Sequence, residues 1–190
     1  MKNPLLVVVE GVDNVGKTTL ARRIAEELEF FYLYTPQPPL DCIRREVEAL
    51  RDFKTRFFYY LTSVVAVQDA IEEQLLSGKS VVIDRYIYST VIMHQQLGVN
   101  INCVNVRQLP IRWPDVGFLL TAQTDVRELR RKQRGGSVRH DSYLEQLSDF
   151  LDKAQDSFRT YTELSAVDTS SFSKEEVFRM VLDHIVAKGG

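Results

Sequence analysis

Hydrophobic and polar positions along the chain follow two periods. Short apolar, mostly β-branched runs stand at Leu5 to Glu10, Phe30 to Tyr34, Ser80 to Asp84 and Asp115 to Thr121, with a weaker one near Ala166 to Asp168. Each is too short for a helix, so the spacing predicts five strands covered on both faces. Between them, apolar residues recur at steps of three and four. Leu20, Ile24 and Leu28 follow the first run, Phe57, Leu61, Val64, Gln68, Ile71 and Leu75 mark a long middle helix, and Val177, Val181 and Ile185 mark the last. Such stripes belong to helices packed on a sheet. Asp41 to Arg51 reads as a further helix, Gly78 is placed to end the long one, and Ser173-Lys174-Glu175-Glu176 is a capping box opening the last. Thr35-Pro36-Gln37-Pro38-Pro39 holds too many prolines for a helix interior or central strand and predicts a shaped loop. The alternation predicts an α/β fold of three layers, a parallel five-stranded sheet with helices on both faces. No repeat or linker divides it, and residues 1–190 read as one domain.

Composition narrows the picture. The 190 residues are 44% apolar and carry 24 Lys plus Arg against 26 Asp plus Glu, a formal charge of -2. At this size folding buries roughly 70% of the unfolded surface, so a core forms without disulfides or structural metals. The balance of charge supplies no general attraction to nucleic acid or an anionic membrane. Leu5 to Val9 is far short of the ~20 residues of a membrane helix, and no secretory pattern follows Met1, so a cytoplasmic location is expected. Cys42 and Cys103 share no close spacing and read as small apolar side chains. His94, His140 and His184 lack ligand spacing and read as surface or core groups.

The chemistry is concentrated in Gly11-Val12-Asp13-Asn14-Val15-Gly16-Lys17-Thr18, which matches G-x-x-x-x-G-K-[ST] between a strand and an amphipathic helix. Glycines let backbone N–H groups wrap a phosphate, and the helix that follows aims its positive end at the same charge. Asn14, Val15, Gly16, Lys17, Thr18 and Thr19 are therefore candidate ATP-binding residues. Thr18 offers a hydroxyl to Mg²⁺, and Val81-Val82-Ile83-Asp84 ends a buried strand in a carboxylate suited to the metal's water shell. Together these predict an ATP-Mg²⁺ site on a P-loop NTPase fold. The Asn-Lys-x-Asp segment of guanine-specific switches does not occur, and motor ATPases need a larger chain, which leaves a kinase for a small acceptor.

Three blocks carry a resemblance. They are Glu10 to Thr19, then Asp84-Arg85-Tyr86 with Ser89, then Pro114-Asp115 before a strand followed by the arginine-rich stretch Arg127 to Arg139. With these the chain resembles the thymidylate kinase family of nucleoside monophosphate kinases. The resemblance implies ATP- and Mg²⁺-dependent phosphorylation of a pyrimidine (deoxy)nucleoside monophosphate, dTMP first, without a covalent enzyme intermediate. It also implies that Asp13 contacts the acceptor sugar and that Arg130 lies against adenine. Arg134 and Arg139 would reach the phosphates from a lid at about residues 127–141 hinged at Gly135 and Gly136, and helices beside the sheet would form a homodimer. Physically, Arg85 follows a strand-end carboxylate and has the fork that grips a phosphate dianion. Lys17, Asp84, Arg85, Arg134 and Arg139 are thus the candidate catalytic residues, and Thr18 and Asp84 the candidate metal ligands.

The chain departs from the family pattern in its middle helix. Thymine-specific members carry an aromatic residue and, four positions on, an arginine; here Tyr59 and Tyr60 supply the ring, but Ser63 and Val64 follow. The acceptors dUMP, dCMP, UMP and CMP therefore stay open beside dTMP. The loop after the second strand lacks the family's arginine, for which Arg44, Arg45 or Arg56 are the substitutes. The Pro-Pro loop and Arg56-Phe57-Phe58-Tyr59-Tyr60-Leu61 are similar to the mitochondrial-type UMP/CMP kinase branch. Asn14 stands where one branch has a loop arginine, leaving that charge to the lid. Two other readings are a deoxynucleoside kinase, which has no use for Arg85, and an ATP-binding regulatory protein without turnover.

Overall fold

The computed structural model describes residues 3–102, 104–134 and 149–189. Cys103, Gly135, Gly136, Arg139 and His140, singled out above, lie outside the described residues. Five strands form one parallel sheet: β1 (Leu6–Glu10), β2 (Phe31–Tyr34), β3 (Val81–Asp84), β4 (Val116–Thr121) and β5 (Leu164–Asp168), in the order β2-β3-β1-β4-β5. Every residue of β1, β3 and β4 is buried, as the uninterrupted Val, Ile and Leu runs require of strands covered on both sides.

Chain direction sets the layers. The step from β1 to β2 runs one way across the sheet and the step from β3 to β4 the other, so right-handed crossovers put their helices on opposite faces. Helix α1 (Lys17–Leu28) lies over β1, β2 and β3 and meets the last helix, α8 (Lys174–Gly189). Helices α3 (Phe53–Ala66), α5 (Ile87–Gln96) and α7 (Phe150–Phe158) pack in series, α5 in the middle. Shorter elements are α2 (Arg44–Ala49), α4 (Gln68–Leu76) and α6 (Thr124–Gln133). No helix among the described residues is long and apolar enough to cross a membrane.

Two helices differ from expectation. The long middle helix is interrupted at Val67, where the side-chain amide of Gln68 donates to the Val64 carbonyl at 2.7 Å, the acceptor its own backbone N–H would use in a continuous helix. Asp41 to Arg51 begins with a tight turn, Leu40–Ile43, before α2. The capping box forms as read: the Ser173 N–H donates to Glu176 Oε2 at 2.8 Å and the Glu176 N–H to Ser173 Oγ at 3.3 Å. For the site, the decisive feature is register. Val9 of β1 pairs with Asp84 of β3, so the chain segments beginning at Gly11 and Arg85 leave the same edge of the sheet side by side.

Candidate active site

The phosphate loop owes its shape to Gly11, which has φ 134° and would bring a Cβ within 2.3 Å of the Leu120 carbonyl oxygen, a contact no side chain tolerates. Asn14 at φ 64° and Gly16 at φ 104° complete the wrap into α1. Lys17 is buried, and its ammonium donates to the Val12 carbonyl at 2.6 Å. Burial, with Arg85 adding to it, lowers its pKa to about 8. Beside it Thr18 Oγ1 donates to Asp84 Oδ2 at 2.5 Å, while Asp84 Oδ1 is buried without a hydrogen-bond partner among the described residues. The carboxylate thus presents one satisfied and one unsatisfied oxygen at the mouth of the loop.

Arg85, itself at φ 69°, turns its guanidinium back across this edge. It pairs with Asp13 and reaches Ser89 Oγ at 3.4 Å and the Gly11 carbonyl at 3.5 Å. Beneath it lies Glu10, fully buried, which accepts from the backbone N–H groups of Tyr86 at 2.9 Å and Ser89 at 3.2 Å and from the Ser89 hydroxyl. Burial raises its carboxyl pKa against the opposing Ser89 hydrogen bond. A carboxylate is thereby fixed at the start of α5, tying the end of β1 to the segment that carries Arg85.

From Arg85 and Asp13 a cleft open to solvent runs between α3 and α5. Tyr60 lines it, as do Arg44 and Arg56. Arg44 donates to Glu48 at 2.8 Å and lies 5.9 Å from the Tyr60 ring centre, while Arg56 is buried; Arg45 is exposed and outside the lining. Of the two tyrosines expected to stack a base, only Tyr60 faces this space. Tyr59 instead donates its hydroxyl to the Leu40 carbonyl at 2.8 Å, and Ser63 and Val64 are buried.

Across the loop, Arg130 on α6 donates to the carbonyls of Asn14 at 3.3 Å and Thr169 at 2.6 Å, and to Thr169 Oγ1 at 2.9 Å. Thr19 is exposed on the first turn of α1, beside Thr18. Arg134 stands exposed at the end of α6. Arg127, read as a cation of the lid, is buried against Asp152 and Thr124 and packs α6 onto α7 instead.

A family model for thymidylate kinase matches residues 9–181, nearly the whole chain. The chain belongs to the thymidylate kinase family. Among relatives, a probable thymidylate kinase of Methanocaldococcus jannaschii is 28% identical over 192 residues, covering 97% of each chain. One from Thermoplasma volcanium is 28% identical, covering 92% of this chain and 95% of its own. The solved thymidylate kinase of Candida albicans superposes with a TM-score of 0.81 at 17% identity, over 98% of this chain and 93% of that one, a likeness of fold. As a thymidylate kinase family member the chain is a nucleoside monophosphate kinase that uses ATP, and the α/β fold expected from the strand pattern is the one it has.

Three residues at this thymidylate kinase site escaped the sequence reading. Glu10 is signalled only by a charge ending an apolar strand, and Thr169, which also donates toward the Val15 carbonyl at 2.9 Å, by nothing local. His94 is the third. Its ring sits 5.6 Å from those of both Phe57 and Tyr60, lines the cavity, and holds Nδ1 2.7 Å from the Thr90 carbonyl. Burial lowers its pKa to about 4, with Arg56 adding to the effect. The folded value lies below the ordinary one near 6.5, so the unfolded chain takes up the proton first as pH falls. Stability rises from pH 4 to pH 6.5, and up to about 3 kcal/mol of it is lost on the way down. Urea midpoints measured across that range are expected to fall less steeply for His94→Phe than for the parent.

Proposed function

We propose that the chain transfers the γ-phosphoryl group of ATP to dTMP, forming dTDP and ADP. The observation that carries this is the abutment, over one sheet edge, of the loop that holds Lys17 and Thr18 with the cavity that begins at Arg85 and Asp13. The backbone N–H groups of Asn14 to Thr19 and the start of α1 cradle the donor phosphates, and Lys17 neutralises them. Arg130 lies against the adenine. Arg85 grips the acceptor phosphate, Asp13 takes the sugar hydroxyl and Tyr60 stacks the base, which aims an acceptor oxygen at the γ-phosphorus. That oxygen forms its bond to phosphorus as the bond to the β,γ-bridging oxygen breaks, and ADP leaves without an enzyme-bound intermediate. Lid arginines, Arg134 and Arg139, add charge around the transferred oxygens.

Mg²⁺ fits the residues present. The Thr18 hydroxyl and the unsatisfied Asp84 Oδ1 are an oxygen pair of the kind this ion takes alongside phosphates and waters, needing no protein cage. Thr18 and Asp84 would hold the ion, which would supply positive charge to offset that of the donor phosphates. We read the enzyme as cytoplasmic and homodimeric, the latter supported by the outward apolar residues Phe58 and Val65 of α3.

The test is ADP formation from ATP with dTMP, dUMP, dCMP, UMP, CMP and thymidine in turn. dTMP is expected to react fastest and thymidine not at all. Reaction with thymidine alone would make the chain a nucleoside kinase, and silence with every acceptor would make it a binding protein.

A further inference from the structure

A base held in the cavity between α3 and α5 needs partners for the polar groups on its edge. Among the described residues, most polar side chains of that wall face one another or the backbone. Arg44, Glu48 and the Tyr60 hydroxyl engage one another, the Thr35 and Thr90 hydroxyls donate to the Arg85 and Tyr86 carbonyls at 3.1 and 3.4 Å, and the Ser89 hydroxyl donates to Glu10. His94 lines the same wall, beside the buried Arg56. Its place on α5 suits a base. Ser89, Met93 and Leu97 recur on the face of α5 that lines the cavity, with Ser89 near the Arg85 guanidinium. His94 comes five residues after Ser89, ~7.5 Å along the axis, about the span from the phosphate of a mononucleotide to its ring.

The ring is also prepared chemically. A carbonyl only accepts, so the Nδ1 facing Thr90 carries the hydrogen and Nε2 keeps a lone pair. The Phe57 and Tyr60 rings hold the imidazole's plane. We infer that His94 is the base-reading residue of this enzyme: its Nε2 accepts a hydrogen bond from the N3–H of thymine, while Arg56 donates to the neighbouring ring carbonyl. This rests on the monophosphate-kinase reading above and adds its selectivity. Cytosine presents a lone pair at N3, which meets the lone pair of Nε2 and is refused. Uracil shares thymine's edge and passes. Discrimination between a keto and an amino pyrimidine thereby falls to α5, in place of the arginine that Ser63 and Val64 of α3 do not supply.

The experiment compares the parent enzyme with His94→Phe and His94→Gln, using dTMP and dCMP. His94→Phe is expected to raise the KM for dTMP by about 10- to 100-fold, with the KM for ATP unchanged. The ratio of kcat/KM for dTMP over dCMP should fall by a similar factor. His94→Gln, whose amide oxygen still accepts, should recover part of both. The inference is overturned if His94→Phe leaves the dTMP KM and that ratio within twofold of the parent. Should the variants not fold, the ¹⁵N resonance of Nε2 in the parent protein decides: it is expected to move when dTMP saturates the site, and an unmoved resonance overturns the inference. A parent enzyme inactive on every monophosphate removes the reading beneath it and the inference together; an active enzyme indifferent to His94 removes the inference alone.

Discussion

Lys17→Ala lowers turnover by about 10³-fold or more and leaves the protein folded. The ammonium belongs to the loop that cradles the phosphates, and it is held on the Val12 carbonyl in a buried position where its charge acts through little water. Alanine removes that charge from the donor phosphates in the transition state. It also removes a desolvated ammonium whose pKa burial has lowered to about 8. The midpoint of thermal unfolding is therefore expected to hold or rise while kcat collapses. Steady-state ADP formation with ATP and dTMP, read beside a circular-dichroism melt, checks both halves, and near-normal turnover would contradict the assignment of this loop.

Arg85→Ala is expected to lower kcat/KM for the monophosphate by about 10²- to 10³-fold, with the KM for ATP little changed. The guanidinium lies where the cavity meets the phosphate loop, paired with Asp13 and near Ser89. Arg85→Lys should recover only a part, because an ammonium keeps the charge and loses the two-pronged geometry. Initial rates over a grid of ATP and dTMP concentrations separate the two substrates. A loss confined to ATP would move Arg85 to the donor side.

Much of the fold is legible in the sequence because β1, β3 and β4 are buried on both faces, and their short length and β-branched residues separate such apolar runs from helix segments. The phosphate loop is legible for a similar reason: Gly11 is forced by φ and by the Leu120 carbonyl, and Lys17 and Thr18 follow at fixed offsets. What escapes depends on contacts between distant segments. The break at Val67 needs Gln68, whose side chain also meets the Tyr86 hydroxyl at 2.9 Å and the Arg112 N–H at 2.7 Å. Tyr59 and Tyr60 are neighbours about 100° apart on one helix, and only the packing of α2 and α5 tells which ring faces the cavity. Arg127 follows the same charged helical pattern as Arg130, yet Asp152 draws it inward. A solitary histidine such as His94 leaves no pattern at all.

Arg130 bears on how the enzyme chooses its phosphoryl donor. Three hydrogen bonds from its guanidinium hold it to Asn14 and Thr169, so on the proposed reading it offers a purine chiefly the flat face of a guanidinium whose donors are mostly engaged. Stacking on such a plane is nearly blind to whether the ring carries an amino or an oxo group. If Arg130 stacks on the base as proposed, a preference for ATP over GTP would originate mainly elsewhere along the rim.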